Sequence, residues 1–583
     1  MSAPTKRNGP SSIDPVVALM GGGLGLAALV SGVAWVAMRV DDAVHSGSAT
    51  SGRNPLDLLG ALVKQEVAWT PTATVAAVVS VLLLAAGGAT TAALRHRARR
   101  GKQAVDRAAP HMGKGKQITV LREDHVRATA RRLGCTDSFG IKVAAAVPSG
   151  VGLWLGWEDV AVDIWGPRSG KTTSRAIPAV LDAPGAVLAT SNKRDLVDAT
   201  RDVRGAGGDD VWVFDPQRLV DEDPDWWWNP LTFVVDEVSA VRLAKVFVDA
   251  TRDPGSRGDA YFDNAARDLL AGVLLAAARA GRPITDVFVW LADSTDNEPQ
   301  KILEQHGHGL IAAAVGAVLS APDRQRVGVY DSAKQIVSFL INAEATRWVT
   351  PGRPGRREFV PAEFVRSKGT LYSLSKEGVG TAGPIVLALT VAVMAAAEEY
   401  AKGLTGGRLA TPMVVVLDEA ANVCRWSELP DMYSHFGSRG IIVQTFLQSW
   451  SQGVQVWGRE GMRKLWSAAT VRVYGGGVAE PEFLSELSQL IGEFERTTRS
   501  ETSSRNGSST SWQATRERVL DVADLGSLPR GRIILFAAGA PAVLAKPIPW
   551  MAGPHADAVR ASIARHDVTS PRLPADQAPE VVP

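Results

Sequence analysis

Gly166-Pro167-Arg168-Ser169-Gly170-Lys171-Thr172-Thr173 follows the short apolar run Ala161–Ile164 and precedes a helix-compatible stretch, residues 174–181. Strand, glycine loop, helix is the order that lets successive backbone N–H groups and a helix N-terminus surround phosphate oxygens. Lys171 would reach the β- and γ-phosphates of ATP, and the Thr172 hydroxyl would ligate Mg2+. The spacing departs from the usual motif at one point. A glycine is expected five residues before Gly170, where this sequence has Trp165; Gly166 comes one residue late. Because Gly-Lys-Thr alone also occurs by chance in turns, the other half of the site has to carry the assignment.

That half is Met413–Leu417 followed by Asp418 and Glu419. A buried-type strand does not end in two acids unless they have a partner. Asp418 is placed to hold Mg2+, through water or through Thr172. Glu419 is the better general base, orienting the water that attacks the γ-phosphate. Arg439, in Gly437-Ser438-Arg439-Gly440, precedes another apolar run, residues 441–446. In ring-shaped ATPases an arginine there can stabilise transition-state charge in a neighbour's site; it also reads as a surface arginine. Gln448 follows the same run and could sense the γ-phosphate, or simply hydrogen-bond within a loop. Trp226-Trp227-Trp228 suits base stacking, but burial against a core or an interface explains it better.

The elements that must position these residues alternate. Apolar runs at Ala161–Ile164, 186–190, Val211–Phe214, Thr370–Leu374, Met413–Leu417, 441–446 and 470–474 are separated in many places by helical stretches. This argues an α/β fold with a mainly parallel sheet. Residues 236–354 interrupt it with apolar positions at helical spacing, such as Ala265, Leu269, Leu270, Val273 and Leu274, and read as an inserted all-α domain. Residues 95–150 read as a basic linker with a short amphipathic helix, and 499–512 as a flexible loop. Residues 554–583 read as a disordered tail. The ATPase domain is then 151–235 together with 355–553.

Residues 16–38 and 72–94 carry no charge and are each long enough to span a ~30 Å hydrocarbon core. Arg95, Arg97, Arg99, Arg100, Lys102 and Arg107, opposed by Asp106 alone, follow the second stretch. The intervening residues 39–71 hold Arg39, Arg53 and Lys64 against Asp41, Asp42, Asp57 and Glu66. The basic side stays cytoplasmic. This gives a transmembrane hairpin in the cell membrane, with residues 1–15 inside, 39–71 outside and the ATPase domain in the cytosol. A cleaved signal peptide ending near Gly32-Val33-Ala34 is a rival, but the apolar stretch exceeds the ~7–15 residues usual there. A formal charge of +2 excludes a protein that coats nucleic acid, so any DNA contact would have to come from local loops or an oligomeric pore. Cys135 and Cys424 lack metal-ligand spacing and suit a reducing compartment.

The order of these motifs resembles the type IV secretion coupling proteins, the TraD/TraG class of conjugative DNA-transfer ATPases. The residues that carry the likeness are the two-span N-terminus, Gly166–Thr173, the helical insertion, Val416-Leu417-Asp418-Glu419-Ala420-Ala421-Asn422 and Leu447-Gln448-Ser449-Trp450-Ser451-Gln452. Ala189-Thr190-Ser191-Asn192-Lys193 and Phe214-Asp215-Pro216 are similar to the actinobacterial branch. The resemblance implies a RecA-like motor in homo-hexameric rings, with Lys171, Thr172, Asp418, Glu419, Gln448 and Arg439 in the roles above. It implies a relaxase-bound single DNA strand as cargo and secretion-channel proteins as partners. Three alternatives compete. A type VII-like protein-export ATPase usually has several motor modules, and one is visible here. A septal DNA translocase usually has more spans and a C-terminal winged helix. A scaffold with a dead ATPase does not fit an intact Lys171, Asp418 and Glu419.

Overall fold

The computed structural model describes residues 15–48, 50–51, 53–99, 103–251, 260–376, 382–504 and 507–567. The expected cytoplasmic N-terminus and the last part of the expected tail lie outside these. The chain divides into two units, Met1–Gln103 and Ala104–Pro583.

The first unit is helical: α1 (Pro15–His45), α2 (Pro55–Val63) and α3 (Pro71–Arg99). Pro71 opens α3 with its φ already set for helix, and the Thr70 hydroxyl accepts the Ala73 N–H at 3.1 Å. Within α3 the stretch Pro71–Thr90 is long and apolar enough to cross a membrane, and almost none of it is buried by protein. The helix Gly383–Lys402 is also long and apolar enough, but its apolar stretch is 78% buried, so it is a core helix of the second unit.

The second unit is built on one sheet of eleven strands. Its amino-terminal members are β1 (Ile141–Ala146), β2 (Gly152–Leu155), β3 (Ala161–Ile164), β4 (Val187–Ser191) and β5 (Val211–Phe214). The pair β6 (Trp226–Trp227) and β7 (Arg357–Glu358) forms a separate small ladder. β8 (Thr370–Leu374), β9 (Met413–Leu417), β10 (Ile441–Leu447) and β11 (Val471–Tyr474) return to the main sheet. β12 (Glu493–Ser504) and β13 (Gly507–Arg518) form a long hairpin, and β14 (Ile533–Ala537) and β15 (Ala540–Pro547) complete the sheet. The order is β2-β1-β15-β14-β11-β3-β10-β9-β4-β8-β5. From β11 to β5 all neighbours are parallel, and the other pairings are antiparallel. Successive residues of the parallel strands alternate between two cores, as Val162 and Ile164 on one face and Ala161 on the other. Covered on both faces, these strands read as continuous apolar runs.

The insertion is helical. Its main helices are Glu237–Thr251, Ala260–Arg279, Ile284–Ala292, Glu298–Gln305, Gly309–Leu319 and Asp323–Ile336. The β6–β7 ladder closes its base, helped by the Trp228 N–H bond to the Trp348 carbonyl at 2.9 Å. Trp226 and Trp228 are buried there, Trp226 against Trp212, Phe359 and Trp348. The tryptophan run is therefore core.

Three regions differ from the sequence reading. The linker 95–150 contains β1, which pairs with β15 and lies inside the sheet. Its Lys142-Val143-Ala144-Ala145-Ala146 run is alanine-rich and lacks the β-branched signature of strands. The loop 499–512 belongs to the β12–β13 hairpin, in register from Glu493↔Arg518 to Ser504↔Gly507. Its Asn506-Gly507 dipeptide between threonine-bearing runs is a hairpin signal. The tail begins with an ordered helix, Ala556–His566, which packs on the helix Asp195–Gly205. There the Ser562 hydroxyl donates to the Asp198 carbonyl at 2.6 Å, and Arg565 pairs with Asp202 at 2.8 Å.

Candidate nucleotide site

The parallel register sets the site. Ile164 lies beside Leu447 on β10 and Tyr474 on β11, and Leu417 on β9 lies beside Thr445. The carboxyl ends of β3, β9, β10 and β11 therefore share one edge of the sheet, where open α/β folds bind ligands. Residues 165–171, Asp418–Glu419, Gln448 and Gly475 all leave the sheet there.

At the loop entrance Trp165 is buried and donates its N–H to Leu447 O at 3.0 Å. Its ring fills the space above Gly475, where an added Cβ would come within 2.1 Å of the indole. The next residue, Gly166, donates to Gly476 O at 2.9 Å, and a Cβ on it would meet Gly477 O at 2.0 Å. The displaced motif glycine is thus accommodated by a second glycine loop. The signal was Gly475-Gly476-Gly477, which the sequence reading passed over. Pro167 and Arg168 are exposed on the rim. Further on, Arg168 at φ +57° and Gly170 at φ +95° alternate with Ser169, the left-handed pattern that turns successive N–H groups into one anion-binding hollow. Ser169 and Thr173 hydroxyls donate to Gly166 O and Gly170 O and fix the turn.

The helix then starts with one wider turn, Thr172–Ala176, before Ile177–Leu181. Pro178 has no N–H to give, and its ring crowds the preceding turn. The Ile177 N–H bonds instead to Thr172 O, five residues back. Behind the loop Arg175 grips Asp163 of β3 with Nε–Oδ2 at 2.7 Å and Nη2–Oδ1 at 3.3 Å, both side chains fully buried. This ion pair ties the strand entering the loop to the helix leaving it. Sequence reasoning missed it, although a lone Asp and a lone Arg in apolar runs each demand a partner.

Lys171 Nζ lies 2.9 Å from Asp418 Oδ1 and 2.7 Å from Glu419 Oε1. Burial opposes the charged ammonium, but the two carboxylates outweigh it and hold the Lys171 pKa above its ordinary value. The Thr172 hydroxyl lies 3.4 Å from Asp418 Oδ2. Two cis oxygens of an octahedral Mg2+ at ~2.1 Å stand roughly 3 Å apart, so this pair fits that ion. Gln448 Nε2 donates to Glu419 Oε2 at 2.8 Å. Glu419 adopts a left-handed backbone, φ +54°, which costs a non-glycine residue about 1–3 kcal/mol and is concentrated at functional sites.

Glu480 is a second residue that sequence reasoning missed. Its carboxylate accepts the Trp450 and Ser451 N–H groups at 3.0 and 3.1 Å, at the start of the helix Trp450–Ala468 directly after Gln448. Arg439 is not brought to this site. It lies at the opposite end of β10, roughly 20 Å away by strand rise, bonding Gly407 O at 2.8 Å and His435 Nε2 at 3.3 Å.

A phosphate loop at the carboxyl edge of a parallel sheet, an acid pair on a nearby strand and an inserted helical domain define a RecA-like P-loop NTPase. Residues 412–530 match the family model described as the TraM recognition site of TraD and TraG. Among solved structures, the chain is similar to the bacterial conjugative coupling protein TrwBdeltaN70 in complex with sulphate: 18% identity over 72% of this chain and 92% of that one, TM-score 0.53. It is similar to the plasmid coupling protein TrwB in complex with ADP and Mg2+, at 18% identity over 74% and 93%, TM-score 0.50. The complex of TrwB with a non-hydrolysable ATP analogue gives 18% over 74% and 92%, TM-score 0.51. No curated protein matches the chain in sequence. The family match is confined to residues 412–530, and the likeness to the TrwB structures is one of fold.

Proposed function

We propose that this chain is a membrane-anchored coupling ATPase that uses ATP hydrolysis to move DNA, as a relaxase-bound single strand, into a type IV secretion channel. The observation that carries the reading is the convergence of Lys171, Asp418, Glu419 and Gln448 at the end of a phosphate loop, inside the family-matched fold. TrwB binds ADP with Mg2+ and an ATP analogue, and the same ligands suit this site. Lys171 exchanges its carboxylate partners for the β- and γ-phosphates when nucleotide enters. Thr172 and Asp418 would hold Mg2+, which would supply charge neutralisation at the phosphates. Freed from Lys171 and oriented by Gln448, Glu419 takes the proton of the attacking water.

The rest of the reading follows from chain layout and family. Residues 16–38 and 72–94 form the hairpin, with the motor in the cytosol. Six copies form a ring, Arg439 reaches the neighbour's site, and the helical insertion receives cargo. A cell in which Lys171→Ala replaces the native chain should lose conjugal DNA transfer while the protein stays at normal level in the membrane fraction. Unchanged transfer would refute the assignment.

A further inference from the structure

The segment outside the membrane is not simply a polar connector. Asn54 caps α2 by accepting the Leu56 and Asp57 N–H groups at 3.0 and 2.9 Å, and Pro55 opens it. The helix that follows is Pro-Leu-Asp-Leu-Leu-Gly-Ala-Leu-Val, with one charge, Asp57. One stripe, Leu58 with Leu62, packs against α1 and α3, and Ala61 beside it is buried. The opposite stripe, Leu56, Leu59, Gly60 and Val63, follows the i, i+3, i+4, i+7 rule and is just as apolar. Leu56 is 68% exposed and Val63 78%. Apart from the exposed Asp57 the helix is apolar all round, a pattern that belongs in a core or in lipid.

The packing partners fix its depth. Leu58 clusters with Ala37 and Met38, the last residues of the first span, and with Ala73 near the start of the second. Trp35, Ala76 and Ala77, deeper in the spans, pack on the same cluster. The Trp35 indole donates to Arg53 O at 3.2 Å, and Trp69 donates to the Thr74 hydroxyl at 2.8 Å. Tryptophans with an apolar body and a satisfied N–H mark the level where hydrocarbon meets headgroups. At this depth the uncovered stripe meets acyl chains.

We infer that α2 is an interfacial helix lying in the outer leaflet, with Leu56 and Val63 turned into lipid and Leu59 half-buried between them and the packed stripe; this rests on the hairpin topology proposed above. It anchors the outer end of the hairpin in the boundary between headgroups and acyl chains through buried apolar area.

The test uses the full chain in liposomes, with Leu56→Cys, Val63→Cys or Ser48→Cys carrying a nitroxide. The wild type serves as the labelling blank, because Cys135 and Cys424 are buried. Labels at 56 and 63 should be relaxed several-fold more by dissolved oxygen than by a water-soluble nickel chelate, and the label at 48 the reverse. Chelate access at 56 and 63 equal to that at 48 would overturn the inference. Protection from both agents would also overturn it, by showing a protein partner or a second copy on the stripe. An impermeant maleimide added outside cells must label Ser48→Cys. Failure of that arm alone would reject the hairpin, and the inference with it.

Discussion

Lys171 binds two carboxylates in a site that water barely reaches. Each partner holds the others in place: Glu419 is fixed on one oxygen by Lys171 and on the other by Gln448. Glu419→Gln removes the base and spares Thr172 and Asp418. It should bind ATP with Mg2+ normally, while hydrolysis falls ~10²–10⁴-fold, the usual contribution of a general base. Equilibrium nucleotide binding beside steady-state turnover checks this, and a fully active variant would remove Glu419 from the role. The loop entrance gives a second prediction. Gly475→Ala pushes a methyl into the Trp165 ring, and overpacking of this kind costs about 1–3 kcal/mol. Thermal unfolding should show a lowered Tm for Gly475→Ala in the native background and no further lowering when Gly475→Ala is added to Trp165→Gly, where the ring is gone. Two independent losses would show that the ring and the glycine do not share the space.

At this scale Lys171, Thr172, Asp418, Glu419 and Gln448 were legible because motif and strand end place them without any long-range information. Arg175, Asp163 and Glu480 were not. Each acts through a partner chosen by the packing of distant elements, and one sequence shows the charge without the partner.

Among the elements, β9 was readable as an uninterrupted apolar run and β10 as one broken only by Gln444 and Thr445, because both strands are buried on both faces. The hairpin β12–β13 was not, because both of its faces hold polar residues and the period-2 signal vanishes. The helix Trp450–Ala468 carries the next prediction. Its first N–H groups are held by Glu480, and the helix starts two residues after Gln448. Glu480→Ala should lower stability by about 1 kcal/mol, the usual value of a lost cap. It should also reduce turnover more than nucleotide affinity, because it loosens Gln448 rather than the phosphate loop. Glu480→Gln, whose single carbonyl oxygen can accept only one of the two N–H groups, should recover part of the turnover. Equal loss of affinity and turnover would confine Glu480 to a purely structural role.

For the whole molecule, Arg439 carries the prediction about assembly. It sits at the far end of β10 from its own Lys171, so any catalytic role must be across a subunit boundary. Mixed rings of Arg439→Ala and Lys171→Ala subunits contain some interfaces with an intact loop facing an intact arginine. ATPase activity should return there in part, and verified mixed rings without recovery would leave Arg439 as a surface residue. The central claim is that the motor works on DNA. Its near-neutral charge confines DNA contact to a few loops or a pore, and phosphate contacts release counterions, so the effect of DNA must fall as salt rises. The most direct measurement is ATP turnover by the purified full chain with single-stranded DNA of unrelated sequences across a salt series. Every sequence should stimulate turnover at low salt, with the effect fading steadily as salt increases and absent in Lys171→Ala. No response to DNA at any salt, with stimulation by an exported polypeptide instead, would contradict it.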